Sequence, residues 1–333
     1  LEKYSEAKNI LKQAIKINPN LAEAYNNLGN TYKNIKQFYK AIMYYRKALS
    51  IDEKQACIHS NLGDTFTLIG DHRNLNHYRF ASSLEPYNME LYSSMLFYLN
   101  YSADMSAEEI YEYYKQFDQR FGLPHKNKWK TFTQPKVPKN KLKIGYVSPD
   151  FRQHSLQFFL LPALAHHNHD KFEIFAFAEL ENEDKVSQEY KSYVDHWIRT
   201  DGMKDDELVQ KIRDMGIDIL VDVSGHTESS RLTVFAQKPA PVSISWFIGY
   251  NYTTGLSAID YFLTDKVMAP KGSENLFSEK LWRLNRYATI WNTSKNNISK
   301  ISNLPALSKG FITFGTITKN LRINNGVIFN WST

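Results

Sequence analysis

Three ionisable side chains stand close together in the segment PDFRQHS, residues 149–155: Asp150, Arg152 and His154. An imidazole titrates near neutral pH, so His154 is a candidate general acid or base. A plainer interpretation is also open. Asp150 could cap a helix or pair with Arg152, and His154 could be a surface residue beside a helix start.

Two further segments, SGHTESSR (residues 224–231) and GYNYTTG (residues 249–255), collect polar and small residues that could line a binding site. The candidates that we single out there are His226, Thr227, Tyr250, Thr253, Thr254 and Gly255. Each segment is also compatible with ordinary turn chemistry. Asp218 and Asp222 flank a buried strand without a partner pattern, and we interpret both as structural.

The elements around these segments alternate between strands and helices from residue 142 onwards. The predicted strands are LKIGYVS, FEIFAFAEL, IDILVDVSG, VSISWFIG, IDYFLTD and KLWRLN, and the predicted helices are LQFFLLPALAHH, DKVSQEYKSYVDH and DDELVQKIRDMG. Such alternation predicts a parallel sheet. Ligands bind beyond the carboxyl ends of parallel strands, and all three polar segments follow a predicted strand. We therefore expect them to form one site.

The first 86 residues contain an internal repeat. NLG at residues 27–29 returns at residues 61–63, an interval of 34 residues, and small residues recur in step with it. Two amphipathic helices per repeat, with Gly29, Ala41 and Ala48 where helices approach closely, are typical of tetratricopeptide repeats. Residues 1–86 are thus predicted to be a helical repeat array. Resemblance to tetratricopeptide repeats implies that a peptide or protein partner binds in a concave groove, and the alternative is that so short an array only docks onto the next domain.

Two connecting segments follow the repeats. Residues 87–124 are predicted to be a helical bridge, in which Ser106 and Glu109 have the spacing of a capping box. Residues 125–141 are basic, contain two prolines and are predicted to be a linker.

Composition excludes several classes of function. The chain has 41 Lys and Arg against 35 Asp and Glu, but these charges are scattered, which disfavours a nucleic-acid-binding face. Neither G-x-G-x-x-G nor a P-loop is present, and no metal-ligand spacing is visible, so we expect no metal and no cofactor. The single Cys57 fits a reducing cytoplasm, and no signal peptide or apolar run of membrane-spanning length is visible. Because Leu1 rather than Met is the first residue, we expect the true N-terminus to lie upstream.

The combination of repeats with GYVSPDFRQHS, KPAPVSISW and TTGLSAIDYFLTD resembles the O-linked N-acetylglucosamine transferase family, including its SPINDLY-like and bacterial members. The resemblance implies a GT-B fold with two Rossmann-like lobes. Residues 142–298 would be the N-terminal catalytic lobe, and residues 299–333 the start of a truncated second lobe.

The family transfers a sugar from a nucleotide donor to Ser or Thr hydroxyls of proteins, with inversion and without a metal. UDP-GlcNAc is the usual donor, and some SPINDLY-like members use GDP-fucose. The resemblance implies that His154 is the family histidine after the first strand, a base or active-site polar group. It implies that the other six candidates line the cleft, and that protein or peptide acceptors bind in the repeat groove.

The sequence departs from the family pattern in one loop and at its C-terminal end. WFIGYNYTTG has one residue more than the family pattern W-x-G-Y-x-x-T-T-G, so we expect a shifted loop. GFITFGTITKNLRINNGVIFNWST resembles only the first strand and helix of the second lobe. The resemblance implies that the nucleotide site and its phosphate-binding lysine belong to the missing part of that lobe. We therefore expect this chain by itself to be inactive. The alternative function is a tetratricopeptide protein-binding module with a catalytically inactive relic lobe.

Overall fold

A computed structural model describes residues 2–132, 140–246, 250, 252–289, 291, 302–318 and 320–332. The chain divides into two compact units, residues 1–104 together with 301–333, and residues 105–300. The division lies inside the segment predicted to be a helical bridge, and part of the predicted linker, residues 133–139, lies outside the described residues. No helix in the described part of the chain is long and apolar enough to cross a membrane.

The first unit is built from antiparallel helix pairs, as the repeat predicts. Its helices are α1 (Glu2–Ile17), α2 (Ala22–Asn34), α3 (Phe38–Leu49), α4 (Ala56–Ile69), α5 (Asn74–Leu84) and α6 (Met89–Leu99). The small residues lie where expected. A Cβ atom on Gly29 would come within 2.5 Å of the Tyr45 ring, and one on Gly63 within 2.8 Å of the Tyr78 ring. The two glycines therefore set the separation of α2 from α3 and of α4 from α5.

The C-terminal part of the first unit has little regular structure. Two short helices, Pro305–Lys309 and Asn325–Ser332, and a 3-10 turn, Asn320–Arg322, are present. The strand expected within GFITFG does not form. Residues 311–318 have no regular structure, and Phe314 is largely exposed. An isolated strand has no partner for its backbone hydrogen bonds and is not stable alone.

The second unit begins with helix α7 (Ala107–Phe117), which carries the predicted capping box. Ser106 Oγ accepts the Glu109 N–H at 3.1 Å, and the Glu109 carboxylate accepts the Ser106 N–H at 2.7 Å. A π-helical turn (Asp118–Gly122) and a 3-10 turn (Leu123–Lys128) follow α7.

A seven-stranded, wholly parallel sheet forms the centre of the second unit. Its strands are β1 (Leu142–Ser148), β2 (Phe172–Ala178), β3 (His196–Arg199), β4 (Ile219–Asp222), β5 (Val242–Ser245), β6 (Tyr261–Asp265) and β7 (Lys280–Leu284). They lie in the order β3-β2-β1-β4-β5-β6-β7. The helices between them are α8 (Gln157–Ala165), α9 (Lys185–Lys191), α10 (Asp205–Asp214) and α11 (Leu232–Ala236). Helical repeats followed by a parallel-sheet lobe confirm the predicted fold class.

One strand was missed. The sequence predicts a helix over residues 184–196, but α9 ends at Lys191, and His196–Arg199 forms β3 beside β2. Four residues are too short for a periodicity signal, and only pairing with the longer β2 makes them a strand.

Candidate functional site

The strand order creates a crevice at the carboxyl edge of the sheet. The chain leaves β1 towards β2 on one side, whereas β4 lies on the other side and leads on to β5. Loops that depart in opposite directions from neighbouring parallel strands leave an opening between them. Ser148 at the end of β1 and Ser224 just after β4 form its buried floor, with their Oγ atoms 3.3 Å apart.

The last residue of β5 and the loop after it each join the same edge through one hydrogen bond. Ser245 Oγ donates to Asp222 Oδ2 at 2.9 Å, and His226 Nε2 donates to the Thr254 carbonyl oxygen at 2.8 Å. The segments that follow β1, β4 and β5 are thus contiguous, as expected from their positions after parallel strands.

His154 lies in this loop after β1, just before α8, with 44% of its side chain exposed. Its Nδ1 atom lies 3.6 Å from Asp150 Oδ2 and accepts the Leu156 N–H at 3.3 Å. Which of these neighbours Nδ1 can bind depends on the tautomer of the His154 ring. With the proton on Nε2, Nδ1 accepts from Leu156. With the proton on Nδ1, the bond from Leu156 is lost, Asp150 Oδ2 at 3.6 Å lies just beyond hydrogen-bond distance, and the Nε2 lone pair can accept a proton.

Asp150 lies between the other two ionisable groups of its segment. Only 11% of its side chain is exposed, its N–H donates to Ser148 Oγ at 3.0 Å, and Arg152 donates to Asp150 Oδ1 across a long 3.5 Å. Asp150 does not cap α8, whose N-cap residue is Leu156. The Arg152 side chain is 54% exposed, so its guanidinium remains accessible to an anion.

His226 is an interior residue and not an exposed one. It lies edge-on to the rings of Phe117 and Tyr114, with centroids 4.7 and 5.3 Å away. Burial lowers the pKa of His226 to about 4, against a smaller raising effect of the hydrogen bond to Thr254. The ring is therefore neutral at physiological pH and links the β4 loop to the β5–β6 loop.

Thr253 and Thr254 are also buried, and both bind one carboxylate, that of Glu279. Glu279 Oε2 accepts Thr253 Oγ1–H at 2.6 Å, and Glu279 Oε1 accepts the Thr254 N–H at 2.8 Å and the Thr254 hydroxyl. Burial raises the pKa of Glu279. Gly255 has φ +83°, and a Cβ there would lie 2.5 Å from the Tyr114 carbonyl oxygen. The Thr-Thr-Gly turn therefore packs against α7.

Thr227 and Tyr250 complete the candidate set. Thr227 Oγ1 donates to the Ser224 carbonyl oxygen at 2.8 Å and closes the turn after β4. Tyr250 is half-buried, and its ring lies 5.7 Å from that of Tyr252. The shifted loop expected from WFIGYNYTTG falls on residues 247–249 and 251, which lie outside the described residues.

Sequence reasoning missed a partly buried ion network beside this edge. Arg231 donates to both oxygens of Glu179, at 2.8–2.9 Å, and to Asp205 Oδ1 at 2.7 Å. Glu179 directly follows β2, and this position at a strand end was the available signal. Among the described residues, no three His, Cys, Asp or Glu side chains are grouped so that they could hold a metal ion.

Comparison with known families gives matches over most of the chain. Residues 88–295 match the description of glycosyl transferase family 41. Residues 22–55 and 1–36 match descriptions of tetratricopeptide repeats.

Several curated proteins are similar in sequence. A probable UDP-N-acetylglucosamine–peptide N-acetylglucosaminyltransferase SPINDLY from Solanum lycopersicum is 30% identical over 255 residues, which is 75% of this chain and 27% of the relative. A UDP-N-acetylglucosamine–peptide N-acetylglucosaminyltransferase from Caenorhabditis elegans is 34% identical over 147 residues, which is 42% of this chain and 12% of the relative. The chain thus spans well under a third of the length of these relatives.

A solved structure is similar over nearly the whole chain. It is a mutant form of the O-GlcNAc transferase of Thermobaculum terrenum, with 28% identity and a TM-score of 0.85. The match covers 98% of this chain and 61% of that one.

Proposed function

Because this chain belongs to glycosyl transferase family 41, we propose that the protein transfers a sugar from a nucleotide donor to hydroxyl groups of other proteins. The names of the relatives support UDP-GlcNAc as the donor and GlcNAc as the sugar transferred. The reaction proposed is inverting and metal-independent, with Ser and Thr as acceptors.

The observation that carries this proposal is the exposed imidazole of His154 beside Asp150, at the carboxyl edge of the sheet within the family match. Attack by a hydroxyl on the anomeric carbon requires removal of the hydroxyl proton. In the tautomer with Nδ1–H towards Asp150, His154 Nε2 can accept that proton directly or through a water. The imidazolium that results lies beside the Asp150 carboxylate.

The leaving nucleotide diphosphate gains negative charge as the glycosidic bond breaks. Arg152 is two residues from His154, and its exposed guanidinium is suited to bind phosphate oxygens. We assign it that role. His226, Thr253, Thr254 and Gly255 then act by holding the loops around the crevice, because their own contacts are in the interior.

A transfer assay tests the proposal. Because this chain by itself is expected to be inactive, the assay uses a longer form of the protein that includes a complete second lobe. This form is incubated with an acceptor protein and radiolabelled UDP-GlcNAc, with GDP-fucose in a parallel reaction and EDTA in a third. We expect labelled acceptor with UDP-GlcNAc and undiminished labelling with EDTA. Labelling from GDP-fucose alone would show that GDP-fucose, and not UDP-GlcNAc, is the donor. Labelling from neither nucleotide sugar would contradict the proposal.

A second function, capture of a protein partner by the repeats, has one observation in its favour. A cavity of about 970 Å³ lies between α3 and the α4–α5 hairpin. Its lining includes the exposed Tyr39 and Met43, and the cations Arg46 and Arg73. Asp71 also lines the cavity and pairs with Arg73 at 2.6 Å, so Arg46 is the cation of the two that has no such pair among the described residues. Such a surface fits a peptide that is mainly apolar and carries an acidic side chain.

Calorimetry separates the two functions. Heat on titration with UDP-GlcNAc supports the transferase. Peptide binding without any heat from the nucleotide sugar favours a binding module with an inactive lobe.

A further inference from the structure

Helix α9 and its N-cap residue hold the loop that carries His154. Asp184 Oδ1 accepts the N–H groups of Val186 and Ser187, both at 2.9 Å, and so caps α9. Asp184 Oδ2 accepts the N–H of Gln153, the residue before His154, at 2.7 Å. One carboxylate thus serves the helix with one oxygen and the loop with the other.

The same helix also supports the loop through its apolar face. Phe151 and Tyr190 are both fully buried in the core beside the sheet, with their rings edge-to-face and centroids 5.2 Å apart. Asp150 is fixed by its N–H bond to Ser148 Oγ. The loop is therefore anchored at residues 150, 151 and 153 immediately before the exposed imidazole.

We propose that Asp184 is a positioning residue for His154, holding the imidazole beside Asp150 through the Gln153 backbone. The inference rests on the proposed function for its catalytic consequence, although the positioning itself is a property of the loop. Asp184 touches neither the ring nor any reacting atom. It acts by fixing the backbone from which the His154 side chain projects.

Two variants separate the tie to the loop from the cap on the helix. Asp184→Ser keeps an oxygen that can cap α9 but removes the second, which accepts from Gln153. Ser187→Ala is the matched control. Ser187 Oγ accepts the Asp184 N–H at 3.1 Å and donates to Asp184 Oδ1, the capping oxygen, at 3.2 Å, so the substitution leaves Oδ2, which accepts from Gln153, in place. Asp184→Asn, whose single carbonyl oxygen can serve only one of the two partners, replaces Asp184→Ser if that variant does not fold.

The primary readouts do not depend on activity. In Asp184→Ser, the amide exchange rate of Gln153 should rise at least about tenfold, the effect of losing one charge-assisted hydrogen bond. The ¹H–¹³C signal of the His154 ring should move or split at fixed pH. Ser187→Ala should leave both unchanged. An unmoved His154 signal in Asp184→Ser, or an equal movement in Ser187→Ala, would overturn the proposal.

A double-mutant cycle gives the catalytic readout. Asp184→Ser should lower the turnover number about 10- to 100-fold, with little change in KM for the donor, because a misplaced catalytic group costs rate rather than binding. In a His154→Ala background, the same substitution should have no further effect, whereas equal losses in both backgrounds would overturn the proposal. Absence of transfer by the wild-type protein would contradict the proposed function only, since the NMR comparison still decides whether Asp184 positions the ring.

Discussion

The Nδ1 atom of His154 lies 3.6 Å from the Oδ2 atom of Asp150, within one short loop at the carboxyl edge of a parallel sheet. The carboxylate is nearly buried and the imidazole is largely accessible. An exposed imidazole beside a nearly buried carboxylate is an arrangement that general acid–base catalysis can use.

Asp150→Asn tests this pair. The substitution keeps the size of the side chain but removes the charge, so we expect the rate of sugar transfer to fall about 10- to 100-fold. The measurement is initial rate at saturating donor and acceptor. Asp170→Asn is the matched control, since Asp170 is exposed just before β2, at the opposite edge of the sheet. Equal rates for Asp150→Asn and the wild type would remove the carboxylate from the mechanism.

Gly255→Ala tests the packing of the Thr-Thr-Gly turn on α7. A Cβ at Gly255 meets the Tyr114 carbonyl oxygen and is also strained by φ +83°. Gly202 has a similar φ of +77°, but nothing lies within 4 Å of its Cβ position. We expect urea denaturation to show a loss of about 1 kcal/mol for Gly202→Ala, from backbone strain, and about 3 kcal/mol or more for Gly255→Ala. Similar losses of unfolding free energy in the two variants would mean that α7 moves away from the added Cβ atom and so removes the steric clash.

His226 should make stability fall in acid. Burial lowers its pKa from an unfolded value of about 6.5 to about 4. The stabilisation is therefore fully present above pH 6.5 and is lost as pH falls towards 4, by about 3 kcal/mol in all. His226→Gln can still donate to Thr254 and does not titrate. The free energy of unfolding of the wild type, measured relative to this variant, should decrease from pH 7 to pH 4.5. A constant difference would show that the ring is solvated.

Glu279 should act in the opposite direction. Burial raises its pKa, so its contribution to stability is fully present below the unfolded value of about 4.3 and is lost as pH rises through the folded value. Glu279→Gln removes this titration. We expect the free energy of unfolding of the wild type, relative to Glu279→Gln, to decrease from pH 4 to pH 7. The reverse slope would mean that the three hydrogen bonds to the carboxylate outweigh its desolvation.

The sequence was sufficient for features that depend on periodicity and strand ends. The 34-residue interval located the helix pairs, and Gly29 was correctly expected at a close approach. The alternation of strands and helices predicted the parallel sheet, and the position of three polar segments after strands predicted that they would meet.

The remaining features depend on contacts between residues far apart in the sequence. Thr253 and Thr254 look like cleft-lining residues until Glu279, on the segment before β7, is found to bind both. Gln153 and Asp184 are 31 residues apart, and neither segment contains a sequence signal that predicts their hydrogen bond. The short strand β3 likewise exists only because β2 lies beside it.

The most direct test of the account is the rate of sugar transfer by His154→Ala, with His169→Ala, an exposed histidine in the loop before β2, as the control. We predict that His154→Ala lowers the turnover number at least about 100-fold, as for loss of a positioned acid–base group, while His169→Ala stays near the wild-type rate. Wild-type turnover by His154→Ala would contradict the claim that this imidazole moves the proton.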